Sequence, residues 1–470
     1  MKVVVIGIDG ATWDSVIPFA EKGLLPGYRK FLTDGLHGPL LSTIPYITQP
    51  GWKAYSMGKN PGKMGVYFWS KIDWKDFKIK NINSLGFHGR DYWDILSDMG
   101  LRVSIIDMPS TFPPKKVNGV MLSGFPHGEG PWTFPEEFES KIPPSYVKEG
   151  VHLFTRNEDP DVTMDGIERE IKSRFDMGEM LWDSDLVHIT VTMNDHVSHF
   201  MWDNPHIMLR NLKANDEGIQ KILSRNKDGY TFLMSDHGNG PIEDEFYANE
   251  FLSREGLLVR KEVRKGMISR ESVVGIGNKL GLYKIARSLP DSMQQRIVKR
   301  VQSLDSSMET DVEEGIDWKE TKVLALDEGL FYLNPLYIDE REDILDDLNK
   351  RLSSLKSKTG KQVFRNIMRG SEVYWGPYLS DAPDLVALTN EIYHQRYQLS
   401  GYVWASDIPK EKMGYRTVQV GHHRIKGIFG LVGPGITEKL ISPSIYDLAP
   451  TILKLFGAQI PSDMDGKPLV

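Results

Sequence analysis

The sequence predicts an α/β protein with a mostly parallel central sheet, helices on both of its faces, and a helix-rich region inserted late in the chain. Two observations carry this expectation. Runs such as Val3–Ile8 are continuously apolar and β-branched, the composition of a strand buried on both faces. Such runs alternate with helical stretches, as they do when crossover helices join parallel strands. The length of 470 residues exceeds what one simple core holds and suggests two domains or one large domain with an insertion.

In chain order, the strand Val3–Ile8 leads into a helical stretch from Asp14 to about Leu32, and "GLHGPLLST" at 35–43 reads as a turn followed by a strand. A helix is expected to start near Pro50 and another to span Asp91–Met99. Strands follow at Arg102–Ile106 and Gly119–Leu122, then a helix at Gly166–Met180, then strands at Leu186–Met193 and Tyr230–Met234. Between Gly240 and Gly421 the alternation loosens into a basic, helix-rich stretch, Val263–Val301, and a mixed-charge helix, Glu340–Lys356. A strand at Leu385–Leu388 reads as a piece of the core, and Gly427–Val432 closes the pattern of strands. The segment "YDLAPTILKLFGAQIP" at 446–461 is an amphipathic helix stopped by Gly457. The division expected is a core of residues 1–240 and 421–470, with 241–420 as a cap that carries some core elements near 384–390.

Composition narrows the function. A net charge of −7 offers no chain-wide attraction for nucleic acid or an anionic membrane, so neither is expected as a partner. A phosphate-bearing substrate must then be held by a local site. The absence of cysteine excludes disulfides, thiolate nucleophiles and cysteine-ligated zinc, leaving oxygen and nitrogen ligands for any metal. The start "MKVVVIGIDG" lacks the long apolar stretch of a secretory signal, and no run approaches the roughly 20 apolar residues that cross a bilayer. The expected location is cytoplasmic.

Ligands of open α/β sheets bind beyond the carboxyl ends of the strands. Asp9 ends the first strand there, and Asp195 follows "DLVHITVTM", with His199 one helical turn further on. Asp236 and His237 end "TFLM", and His422 and His423 precede "IFGLVG". Carboxylates and imidazoles from four distant segments suit a pair of divalent ions, which can clamp the attacking and leaving oxygens of a phosphoryl transfer. Thr48, just ahead of its helix, offers a hydroxyl that the positive helix end and a metal could activate.

Blander roles compete. Asp9 could cap a helix, Asp195 and His199 could form a surface pair, and Thr48 could be a cap, with Ser42 or Thr43 as rival hydroxyls. His196 and His422 adjoin favoured ligands, while His188 lies in an apolar strand as a core histidine would. "GIDGAT" lacks the third glycine of a dinucleotide fingerprint, so a non-catalytic nucleotide-binding protein ranks low.

The segments "VVVIGIDGATWD", "ITQPGW", "GKNPGKMGVY", "TMNDHVSHFMW", "MSDHGNGP", "GHHRIKGIFGLVGPGI" and "YDLAPTILKLFGAQIPSDMDGKPL" together resemble the alkaline phosphatase superfamily, and within it the type I phosphodiesterase/nucleotide pyrophosphatase family. The resemblance implies an alkaline phosphatase-like core in which Asp9, Thr48, Asp236 and His237 bind one metal, and Asp195, His199 and His423 bind the other. It implies that Thr48 attacks phosphorus and forms a phosphothreonine, and that both ions are zinc, with manganese used by some relatives. Eukaryotic members carry an asparagine about twenty residues beyond the nucleophile; "GVYFWSK" has none here, leaving Lys59, Asn60 or Lys63 as substitute donors. "TQPGW" is not the formylglycine motif of sulfatases. The expected activity is metal-dependent hydrolysis of phosphodiester or pyrophosphate bonds in a small phosphate ester such as a nucleotide. The alternative is a phosphomonoesterase or phosphomutase-type relative. Trp52, Trp69, Tyr67 or Trp202 could stack on a base.

Overall fold

The computed structural model describes residues 1–148, 154, 159–261, 313, 315–409 and 419–470. The basic stretch Val263–Val301 lies outside them. Among the described residues, nine strands form the central sheet: β1 (Val3–Ile8), β2 (Leu36–Leu41), β3 (Val103–Met108), β4 (Gly119–Ser123), β5 (Thr133–Phe134), β6 (Leu186–Val191), β7 (Tyr230–Met234), β8 (Lys426–Val432) and β9 (Lys439–Leu440). Their order is β9-β2-β8-β7-β1-β6-β3-β4-β5. The five strands β7-β1-β6-β3-β4 are parallel, and β8 runs antiparallel between β7 and β2.

The apolar runs are buried on both sides because the sheet is. Val4, Ile6 and Ile8 join one core cluster with the helices Trp13–Ala20, Pro26–Asp34, Pro160–Met180 and Pro205–Arg225. Val3 and Val5 point the other way, into a cluster with the helices Thr48–Met57, Tyr92–Asp98 and Leu448–Leu455.

Three expectations are corrected. The helix expected over Asp14–Leu32 is two, Trp13–Ala20 and Pro26–Asp34. Gly23 breaks the chain with φ of +74°, and Pro26 opens the second helix, where its missing N–H costs nothing. The helix expected from Pro50 begins at Thr48, which puts Pro50 in the first turn for the same reason. The strand expected at Leu385–Leu388 and read as part of the core is Leu385–Thr389, and it lies instead in a separate antiparallel sheet between Leu330–Leu333 and Phe364–Arg369. A short apolar run is equally suited to either sheet, so its sequence does not assign it.

That second sheet has four strands, with Val323–Leu326 at one edge and the helix Arg341–Ser354 packed against it. Its core cluster takes in Tyr46, Ile47, Tyr67 and Phe68, so the segments flanking the Thr48 helix pack with this second sheet. No helix among the described residues is long and apolar enough to cross a membrane.

Candidate active site

Strand register brings the sequence-predicted residues together. Ile8 lies opposite Val191 and Gly7 opposite Met234, so the three chains leave the sheet side by side at Asp9, Thr192 and Ser235. β8 runs back beside β7, and the residues before it, Gly421–Arg424, pair antiparallel with Gly238–Pro241, with His423 opposite Asn239. The turn after Asp9 leaves no room. Gly10 has φ of +65°, and a Cβ there would lie 2.2 Å from Asn239 Nδ2 and 2.6 Å from Asp195 Oδ1.

Asp9, Asp236, His237 and Thr48 form one group. His237 Nε2 lies 3.2 Å from Asp236 Oδ2, 3.5 Å from Asp9 Oδ1 and 3.3 Å from Thr48 Oγ1. Its Nδ1 donates to the Gly238 carbonyl at 3.1 Å, which fixes the tautomer and leaves the Nε2 lone pair facing the carboxylates. Trp52 Nε1 donates to Asp9 Oδ2 at 2.9 Å, and Asn194 Nδ2 to the Asp9 carbonyl at 2.7 Å. Thr48 is the first residue of its helix, whose cap is Ile47. The rival hydroxyls are engaged elsewhere, Ser42 with the Asp236 carbonyl and Thr43 with the Tyr446 hydroxyl. Asp9 caps no helix; Thr12 does.

Asp195, His199 and His423 form the second group. The helix Met193–Met201 puts Asp195 and His199 on one face, with His199 Nε2 3.1 Å from Asp195 Oδ2. His423 Nε2 lies 3.1 Å from His199 Nε2 and 3.7 Å from Asp195 Oδ1. His199 Nδ1 donates to the Gly421 carbonyl at 2.9 Å, and Asn239 Nδ2 to Asp195 Oδ1 at 2.7 Å. His196 stands apart, its ring stacked on Phe154. His422 turns toward Glu328 and stacks on His394.

The electrostatics suit cations. Burial, and then the neighbouring charges of Asp236 and Asp195, push the Asp9 carboxyl well up. Burial and the Asp195 charge push that of Asp236 up to about 6. Although burial works against it, Asp195 is held well below the carboxylate range by His199 and His423. Asp9 Oδ1 and Asp236 Oδ2 are buried without a hydrogen-bond partner. Buried carboxylate oxygens facing one another beside imidazole nitrogens fit a hard or borderline divalent ion, and a second set lies alongside.

Several side chains fall outside the site. Lys59 pairs with Asp463, Lys63 with Asp465, and Asn60 caps the short helix Pro61–Met64, so none of them supplies the donor considered from sequence. Trp52 is fully buried beneath Asp9, Tyr67 packs on Tyr374, and Trp69 packs on Phe125. Conversely, Asn194, Asn239, Glu328 and the donor role of Trp52 were not legible, since each acts through a partner distant in sequence.

The model of the type I phosphodiesterase/nucleotide pyrophosphatase family matches residues 3–401. No curated protein matches the sequence. Human ectonucleotide pyrophosphatase/phosphodiesterase 5 is similar in structure with a TM-score of 0.56 at 11% identity, covering 99% of this chain and 97% of its own. The murine protein of the same name, an inactive variant in complex with AMP, gives 0.58 at 12% identity, over 98% and 96%. Phosphonoacetate hydrolase from Sinorhizobium meliloti 1021, in complex with phosphonoformate, gives 0.57 at 11%, over 96% and 94%. At such identities these likenesses establish the alkaline phosphatase-like fold.

Proposed function

The chain belongs to the type I phosphodiesterase/nucleotide pyrophosphatase family of hydrolases in the alkaline phosphatase superfamily, and from that premise we propose that it cleaves phosphodiester or pyrophosphate bonds through a covalent phosphothreonine on Thr48. The observation that carries this reading is convergence on one atom. His237 Nε2 is within 3.5 Å of the Thr48 hydroxyl and of both Asp9 and Asp236 carboxylates.

Asp9, Thr48, Asp236 and His237 would hold one divalent ion, and Asp195, His199 and His423 a second. Zinc suits this donor set, with manganese as the alternative. Bound there, the ions would favour the ionised Thr48 oxygen and offset the negative charge that develops on the phosphoryl group. The Thr48 oxygen forms its bond to phosphorus while the bond from phosphorus to the leaving oxygen breaks; that oxygen keeps the electron pair and is protonated. Water then displaces Thr48 from phosphorus, releasing a phosphate monoester and restoring the hydroxyl. Trp52 and Asn194 keep Asp9 in place through both steps. Nucleotides are the substrate class favoured, on the strength of the AMP complex of the murine protein with the same fold.

The test is hydrolysis of a nitrophenyl phosphodiester and the matching monoester by metal-stripped protein resupplied with zinc or manganese. Diester turnover should require metal, and Thr48→Ala should retain metal but lose turnover by about 10⁴-fold or more. A fully active Thr48→Ala removes Thr48 as nucleophile, and preference for the monoester favours a phosphomonoesterase.

A further inference from the structure

The inserted region reaches the second ligand group through one side chain. Val323–Leu326 and Leu330–Leu333 pair as a hairpin whose connecting turn holds Glu328 at φ of +62°. Left-handed backbone is uncommon for a glutamate and is kept where the surroundings demand it. The Glu328 side chain is 8% exposed, and its Oε1 lies 2.7 Å from His422 Nε2 and 3.3 Å from His423 Nδ1.

The three imidazoles of the site follow one plan. Each turns Nε2 toward the carboxylates and Nδ1 toward an acceptor outside the group. For His237 the acceptor is the Gly238 carbonyl and for His199 the Gly421 carbonyl. For His423 the nearest acceptor is Glu328, whose Oε1 lies 3.3 Å from Nδ1 without hydrogen-bond geometry, so that Nδ1 is buried with no hydrogen-bond partner; Glu328 is the one group of the three that comes from a side chain. A proton on Nδ1, turned to that nearby carboxylate, would leave the Nε2 lone pair facing Asp195 and His199.

We propose that Glu328 is a positioning residue that fixes the tautomer and orientation of His423, so that the second ion site is completed by the inserted region. The inference rests on the two-ion reading of the site.

A third cation held by Glu328, His394 and His422 fits less well. The rings of His394 and His422 stack with centroids 3.5 Å apart and planes at 26°, so their in-plane lone pairs run side by side and do not converge. The contact of His422 with Glu328 has the length of a direct hydrogen bond, and His394 Nδ1 lies 3.2 Å from Glu245 Oε1 and 3.0 Å from Gln419 Oε1.

The experiment titrates metal-stripped wild type and Glu328→Gln with zinc against a chromophoric chelator. Wild type should take up two equivalents. Glu328→Gln should keep one at wild-type affinity and bind the other roughly 10–100-fold more weakly. Thermal unfolding of the stripped proteins should coincide; if Glu328→Gln does not fold, Glu328→Asn, whose side chain tolerates left-handed backbone, takes its place. Two tight equivalents in the variant overturn the role of Glu328 alone. Loss of both equivalents marks a general structural role and also overturns it. A wild type that binds no zinc overturns the two-ion reading, and this inference with it.

Discussion

At the scale of single residues, the residues of the candidate site were legible because carboxylate and imidazole neighbours at strand ends are poorly explained by packing. Asp236 and His237 announced themselves in "MSDHGNG". Their supports did not, since an aromatic such as Trp52 reads as core until the fold sets its indole N–H against Asp9. His188 was legible as a core residue, and it carries a prediction. It is fully buried, with Nδ1 3.2 Å from the Tyr92 hydroxyl and Nε2 3.1 Å from that of Thr190. Burial pushes its pKa down to about 3. The unfolded chain protonates this imidazole near 6.5, so between that pH and about 3 the unfolded state binds more protons. The contribution of His188 to stability is therefore complete above about pH 6.5 and is lost as pH falls, by about 1.4 kcal/mol per unit. Between pH 7 and 5, urea unfolding of the wild type should lose about 2 kcal/mol more than that of His188→Gln. Equal losses would show that His188 does not stay neutral in the fold.

At the scale of elements, buried parallel strands were legible from composition, and Val3–Ile8 and Tyr230–Met234 match their expected bounds. The ladder of Gly238–Pro241 with Gly421–Arg424 was not, because glycine and proline have low strand propensity and only the pairing of two distant segments orders them. That ladder delivers His423. A Cβ on Gly421 would lie 2.2 Å from the Ser198 carbonyl, in the helix that carries Asp195 and His199. Gly421→Ala should push the ladder off this helix, lengthen the His199 contact with the Gly421 carbonyl, and weaken the second zinc equivalent by about 10-fold or more while sparing the first. Chelator competition reads both equivalents, and an unchanged second one would show that the helix and ladder need not touch for the site to form.

At the scale of the molecule, the sheet gathers carboxyl groups at the carboxyl ends of β1, β6 and β7, where the buried Asp9 and Asp236 and the partly buried Asp195 act on one another. Divalent ions bound there in the native state and released on unfolding would stabilise the whole chain by RT ln(1 + [L]/Kd), about 2.7 kcal/mol per site at 100 times Kd. Protons compete with the ions. The raised Asp236 carboxyl takes up its proton as pH falls through about 6, and that proton must leave before a cation can bind. Zinc should therefore raise the unfolding temperature of stripped protein strongly at pH 7.5 and much less at pH 5, at equal free zinc. Asp236→Asn removes both the charge and the titration, so its zinc-induced gain should be smaller at pH 7.5 and should change less between the two pH values. Calorimetry at both pH values decides the matter: an Asp236→Asn variant with the wild-type gain and the wild-type pH dependence would place the stabilising ions elsewhere than the ends of β1 and β7.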